Sequence, residues 1–382
     1  MADIDIGLGK TARRAYGFDE LAIVPSRRTR DPEDVDISWQ IDAFRLDLPV
    51  LSAPTDGVTS PTTAIEMGRL GGLGVLNLEG VWTRYEDPEP VLARIADAPD
   101  DKVTAVLQDA YREPVREGLI LERVAELRAG GGITAGAVSP QRADKLIATI
   151  QKAGLDLLVI QGTVVSAEHV SRTAEPLNLK TFIRHLDLPV IVGGCASYQA
   201  ALHLMRTGAA GVLVGVGAGQ ASTARAVLGI GVPMATALAD ARAARMRHLD
   251  ETGVYCHVIA DGGMQSTADV AKAIVCGADA VMLGTALAAA TEAPGRNNHW
   301  GMTAAHPTLP RSVRVRVEPQ GTLAEVLTGP TTQPDGRLNL FGALRKTMAL
   351  CGYQTLKEFQ KAAVCVAPRA VEPRPLPSAS PR

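Results

Sequence analysis

Apolar residues gather in eight short runs along the chain, at positions 48–54, 72–77, 133–139, 155–162, 188–194, 210–217, 256–263 and 278–285. None alternates cleanly between apolar and polar, which is the pattern of parallel strands buried on both faces. Stretches with helical spacing separate them. In one, Ser60 is placed to cap a helix and Pro61 to take its first position. In another, Ser266 or Thr267 can cap and Gly277 can end the helix. Eight strand-helix repeats predict an α/β fold closed as a (β/α)8 TIM barrel rather than an open doubly wound sheet, which uses fewer strands. The chemistry of such a barrel sits in the loops after the carboxyl ends of its strands. Here those ends include SAPTDGVTS, Gln161-Gly162-Thr163, Gly193-Gly194-Cys195, GVGAGQAS, ADGGMQS and GTALAAATEAPG, where glycines and polar residues collect.

The pattern breaks in three places. Residues 79–130 form a charged, helical insert between the second and third strands, and residues 296–337 are irregular and contain prolines. After an amphipathic segment at 338–352, the tail 367–382 is proline-rich and expected to be disordered, leaving one barrel unit over residues 1–366. With 39 basic against 41 acidic residues, the net charge of -2 supplies no field for nucleic acid or anionic membrane and leaves small molecules as the expected partners. No run reaches the length of a membrane span and the first residues lack a signal-peptide pattern, so a cytoplasmic location is expected. Five cysteines without CxxC spacing predict free thiols, not a disulfide framework or zinc site.

Glycines after a strand let backbone approach a phosphate closely, and amides at the start of the next helix favour an anion. GVGAG, ADGG and LGT, after the last three strands, are therefore three candidate phosphate contacts, although each is also an ordinary tight turn taken alone. Asp261 follows its strand where a carboxylate can accept bonds from sugar hydroxyls, with a helix cap or an ion pair as the alternative. Asp56 has a similar position after the first strand and reads better as a turn residue before the Ser60 cap.

Together these stretches resemble the IMP dehydrogenase and GMP reductase family. Residues 258–295 (VIADGGMQSTADVAKAIVCGADAVMLGTALAAATEAPG) are similar to its phosphate-binding half, and GVGAGQAS to its catalytic loop; the resemblance runs from YGFDELAIVPSRR (16–28) to FGALRKTMALCGYQTLKEFQ (341–360). It implies a barrel that binds a purine nucleotide, works with NAD or NADP, and assembles as a homotetramer. It also implies the compact branch without the CBS pair, the insert at 79–130 standing in its place. By position, Asp261 would hold ribose hydroxyls, and Gly263, Gly284 and Thr285 the phosphate. Gln161, Gly162 and Thr163 would face the cofactor, and the loop of Gly217, Gly219 and Ser222 would hold a monovalent cation such as potassium. Met302 lies in the flap, while Met282 either underlies the base or fills the barrel.

The departures fall on the reactive side chains. The family's attacking cysteine, a thiol ionised readily enough to add to an electron-poor carbon, is Ser222 here, with no base beside it in sequence. The phosphate-binding serine is Gln220, and the cofactor-binding aspartate is Gln161, which carries no charge. The flap signature reads His299-Trp300-Gly301-Met302-Thr303, and the Arg-Tyr pair that activates water has no clear counterpart. Cys195, at the mouth after the fifth strand, is either a packing thiol or a relocated nucleophile, for which His299 would be the base on the flap. Two readings follow: an oxidoreductase acting on an IMP-, XMP- or GMP-like nucleotide in the route to GMP with altered catalytic residues, or a weakly active or inactive nucleotide-binding protein of regulatory use. A flavin-binding barrel is a third.

Overall fold

The structure is a computed structural model describing residues 3–172 and 177–367. The proline-rich tail expected from residue 367 lies, from 368 on, outside the described residues. All eight apolar runs form strands: β1 (Val50–Ser52), β2 (Val75–Asn77), β3 (Ala135–Val138), β4 (Leu157–Gln161), β5 (Val190–Cys195), β6 (Gly211–Val214), β7 (His257–Asp261) and β8 (Ala280–Leu283). They pair in parallel in the order β1-β8-β7-β6-β5-β4-β3-β2. The ring closes between β1 and β2 through a Leu51–Leu73 bridge, with the Ser52 amide donating to the Leu73 carbonyl at 2.9 Å. The protein is a (β/α)8 barrel.

Fourteen α-helices are described: α1 (Pro61–Arg69), α2 (Glu89–Asp97), α3 (Val103–Ala110), α4 (Glu117–Ala129), α5 (Pro140–Ala153), α6 (Leu179–Arg184), α7 (Tyr198–Met205), α8 (Ala224–Leu228), α9 (Met234–Thr252), α10 (Thr267–Cys276), α11 (Thr285–Ala288), α12 (Leu323–Thr328), α13 (Leu340–Leu350) and α14 (Leu356–Phe359). Local chemistry starts and stops them as the sequence suggests. The Ser60 hydroxyl accepts from the Thr63 amide at 3.0 Å with Pro61 at the first position, an arrangement stabilising by about 1 kcal/mol. Ser266, not Thr267, caps α10, and Gly277 ends it. Within residues 79–130, α4 packs on α1 and α5 as the barrel's own helix, while α2 and α3 pack on each other beside the barrel.

Two cores follow from the two-residue period of a strand, which sends successive side chains to opposite faces. Inside the barrel lie Leu157 and Val159 of β4, Ile259 of β7, and Ala280 and Met282 of β8, with Trp39, Ile41 and Leu46 of a short hairpin in the same cluster. Leu158, Ile160, Val258 and Ala260 face the helices instead. The same alternation puts Gln161, Asp261 and Met282 in the topmost inward layer.

At the amino ends of the strands a buried ion pair joins α9 to the start of β8. Arg245 donates to Asp279 at 2.7 Å, Tyr255 donates to the same carboxylate at 2.7 Å, and Gln360 ties it to the chain's end at 3.1 Å. That end of a barrel serves stability. No helix is long and apolar enough to cross a membrane, among the described residues.

Candidate functional site

At the carboxyl ends of β4, β7 and β8 the top layer forms a polar cap on an apolar barrel. Gln161 donates its amide to Asp261 at 2.9 Å, and the same nitrogen lies 3.7 Å from the Met282 sulfur. Met282 is buried in the barrel cluster, beneath the polar pair. Burial pushes the Asp261 carboxyl up to about 6, against the Gln161 bond, which pulls it down. Such a carboxylate is short of donors, and two ligand hydroxyls would supply them. The Gln161 carbonyl oxygen is buried without any hydrogen-bond partner. It is an acceptor that an N–H or O–H donor would satisfy.

The loops after β6 and β7 nest together. Gly262 sits at φ 85°, and a Cβ there would lie 2.8 Å from the Gly219 amide nitrogen, so this position requires glycine. Next to it Gly263, exposed, opens on a groove of about 890 Å³ that also touches Arg14, Gly217, Arg225 and Gln265. After β8, Gly284 leads into α11, and the Thr285 hydroxyl lies 3.0 Å from His299 Nε2. Asp261, Gly263, Gly284 and Thr285, expected on one nucleotide, thus stand on neighbouring strand ends.

Ser222 is pinned by its backbone. Its amide donates to the Gly219 carbonyl at 3.0 Å, and the residue bridges Ser312, whose hydroxyl donates to the Ala221 carbonyl at 2.8 Å. Among the described residues the Ser222 hydroxyl accepts only a long 3.4 Å bond from the Ala224 amide, and no histidine, lysine or acid bonds it. The Gly219 carbonyl closes the loop's own turn, and among the described residues no group of acidic, histidine or cysteine side chains could hold a metal. Gln220 is exposed and Met302 half-buried beside the segment that crosses Ser222.

Two expectations are corrected. For Cys195 the placement matches the packing alternative, not the barrel mouth: its thiol lies in the layer between sheet and helices, bonded weakly to the Leu213 carbonyl at 3.5 Å, and burial pushes it up to about 12. Simple alternation from the inward Ile191 would have turned Cys195 inward. A bulge between Gly193 and Cys195 shifts the register so that Cys195 pairs with the outward Val214. His299 is not on an exposed flap. It is 5% exposed, in a two-residue strand (Asn298–His299) paired with Val315–Arg316, and burial pushes it down to about 4, leaving a neutral ring at pH 7.

At the fourth strand, Gly162 spends both backbone groups on β5, its amide on the Gly193 carbonyl at 2.9 Å and its carbonyl on the Gly194 amide at 3.0 Å. Gln161 and the half-buried Thr163 are the side chains left to meet a ligand there. Sequence reasoning placed Asp56 in its turn but missed its burial and its partners Tyr111 and Trp300. Asp56, read as a turn residue, is 1% exposed and accepts from Tyr111, which in turn accepts from the Trp300 indole at 2.8 Å.

Residues 15–370 match the family model described as the IMP dehydrogenase / GMP reductase domain. An uncharacterized oxidoreductase of Mycolicibacterium smegmatis is 52% identical over 372 residues, covering 95% of this chain and 99% of that protein. The inosine-5'-monophosphate dehydrogenase of Methanocaldococcus jannaschii is 26% identical over 469 aligned residues, with 92% of each chain covered. The crystal structure of an IMP dehydrogenase/GMP reductase-like protein from Corynebacterium glutamicum aligns with a TM-score of 0.91 at 47% identity, over 96% of this chain and 98% of that one.

Proposed function

Because this chain belongs to the IMP dehydrogenase/GMP reductase family, we propose that it is an NAD(P)-dependent oxidoreductase acting on a purine nucleoside monophosphate of the IMP, XMP or GMP kind. The observation that carries this reading is the Gln161–Asp261 pair: a donor-poor carboxylate and an unpartnered amide oxygen side by side at the barrel mouth. Asp261 accepts the ribose hydroxyls. Thr285, Gly284 and Gly263 take the phosphate, the Thr285 hydroxyl turning from His299 toward it. Met282 supports the base from below through a polarisable sulfur.

Gln161 and Thr163 fit one end of a nicotinamide cofactor, since the Gln161 oxygen lacks a donor that a carboxamide or ribose hydroxyl possesses. When bound, that cofactor supplies the hydride acceptor or donor. The chain's own residues orient the nucleotide, and the segment 299–313 excludes water above it. A homotetramer remains part of the proposal, tested by sedimentation.

A second reading, binding without turnover, is favoured by a specific observation: Ser222 has no base and Cys195 is a buried, protonated thiol. A serine hydroxyl without a base is a poor nucleophile at neutral pH. Calorimetric titration with IMP, XMP and GMP, alone and with NAD or NADPH, followed by absorbance of reduced nicotinamide, separates the two. Binding with hydride transfer supports the enzyme; binding with none in either direction supports the second reading. No binding of any of the three overturns both.

A further inference from the structure

Residues 296–316 are held from two sides. On one side they join the site: His299 meets Thr285 at 3.0 Å, the Ser312 hydroxyl donates to the Ala221 carbonyl at 2.8 Å, and the Val313 amide donates to the same carbonyl at 2.9 Å. On the other they are fastened to α2 and α3. Gln108 donates to the His306 carbonyl at 2.9 Å. Buried Arg314 donates to the carbonyls of Ile95, Ala96 and Ala98 at 2.8, 2.9 and 2.6 Å and pairs with Asp100.

The third fastening runs through the interior. Trp300 is 1% exposed, and its indole N–H donates to Tyr111, just past the end of α3, at 2.8 Å. The Tyr111 hydroxyl donates in turn to Asp56, in the loop after β1. Arg84 lies over the Tyr111 ring at 5.5 Å and donates to the Tyr111 and Glu79 carbonyls, both at 2.9 Å. Three distant parts of the chain thus meet in one line of donors ending on a carboxylate. The residue next to Trp300 is His299, which touches Thr285.

We infer that Asp56, Tyr111 and Trp300 form a latch by which the α2–α3 insert fixes the 296–316 segment as a wall of the nucleotide site, with Tyr111 as its positioning residue. A hydrogen-bonded chain of this kind fixes an orientation, since each buried donor that loses its acceptor is left unsatisfied. The insert then has a role in the site although none of its side chains lines the Asp261 cap. The groups that face Asp56 are Tyr111 from α3, Arg84 from the turn after β2, Asn77 at the end of β2, and the Val81 amide. Burial dominates among these influences and pushes the Asp56 carboxyl up to about 6.

The test uses the full chain without ligand and the variant Tyr111→Phe, which removes one oxygen and leaves the ring. Hydrogen exchange of amides 298–313 is expected to quicken about tenfold or more, with β4 and β7 unchanged. Asp56→Asn keeps an acceptor for Tyr111, so its 298–313 exchange stays at the wild-type rate. The fluorescence of Trp300, read in a Trp39→Phe, Trp82→Phe background that leaves it the single tryptophan, is expected to shift as pH falls through about 6 in the parent and to lose that step in both Asp56→Asn and Tyr111→Phe. Unchanged exchange at 298–313 in Tyr111→Phe, or an equal rise throughout the barrel, would overturn the latch. The nucleotide arm rests on the proposed function: IMP or GMP should bind Tyr111→Phe about tenfold more weakly. If wild-type protein binds neither nucleotide, that function fails, while the exchange and fluorescence arms still decide the latch.

Discussion

Asp261→Asn should weaken nucleotide binding and at the same time stabilise the protein, and the two effects separate by pH. The carboxyl stands at about 6 in the fold against an ordinary 3.8, because burial penalises its charged form. An acid raised in this way stabilises the fold fully below 3.8, and that contribution is lost as pH rises through about 6. The ionised group therefore costs on the order of 3 kcal/mol at pH 8 and roughly half of that at pH 5. Asparagine keeps an oxygen for the Gln161 amide at 2.9 Å and carries no charge. Its stability gain, measured by urea denaturation, should be larger at pH 8 than at pH 5. Binding moves the other way: replacing two charge-assisted bonds to ribose by one neutral acceptor costs about 2–4 kcal/mol, or roughly 30- to 1000-fold in Kd. Calorimetry with IMP and GMP at pH 8 reads this directly. Wild-type affinity in Asp261→Asn would refute the ribose assignment. A variant destabilised at pH 8 would refute the claim that the carboxylate is short of donors.

Thr285→Ala should weaken nucleotide binding about five- to tenfold, the loss of one hydroxyl bond, while the 2'-deoxynucleotide penalty set by Asp261 stays unchanged in calorimetry. Cys195→Ala should leave nucleotide binding and any turnover unchanged and cost about 1–2 kcal/mol in denaturation, since its thiol only fills space; an abolished turnover would restore it as a nucleophile. Ser222→Cys should create a new reactive thiol and raise turnover at least tenfold where the missing nucleophile is what limits hydride transfer, measured at the reduced-nicotinamide band; unchanged turnover would locate the limit elsewhere. Asp279→Ala should cost about 3–5 kcal/mol in denaturation by leaving Arg245 charged and buried, with no change in nucleotide affinity.

The barrel was legible because its signal is local and repeated: each apolar run is a buried strand, and each cap sits beside its helix. Asp261 and Thr285 were legible for the same reason, as they follow strands directly. Cys195 was not. Its orientation depends on one bulge, and a bulge reverses a two-residue alternation without any mark in composition. His299 was misplaced because residues 296–316 owe their order to tertiary bonds with α2, α3 and the Ser222 loop, not to periodicity. Tyr111 and Trp300 carried no local signal, being far apart in sequence and meaningful only where they meet.

Asp56 and Asp261 contrast a carboxylate held inside the protein with the one proposed to bind ribose. Both follow barrel strands, and burial pushes both up to about 6. Asp56 is closed in at 1% exposure: Tyr111 caps one oxygen, and the other is buried against Gly80 without a hydrogen-bond partner. Asp261 is only partly buried, and among the described residues its side-chain donor is Gln161. Equal electrostatic strain therefore has two outlets. At Asp56 it is offset in part by a tyrosine from the insert, and in the proposed latch that bond orders the wall; at Asp261, on the proposed function, it is offset by a ligand's hydroxyls. This is why a substitution at the first should change the wall's exchange or titration, while one at the second should change affinity.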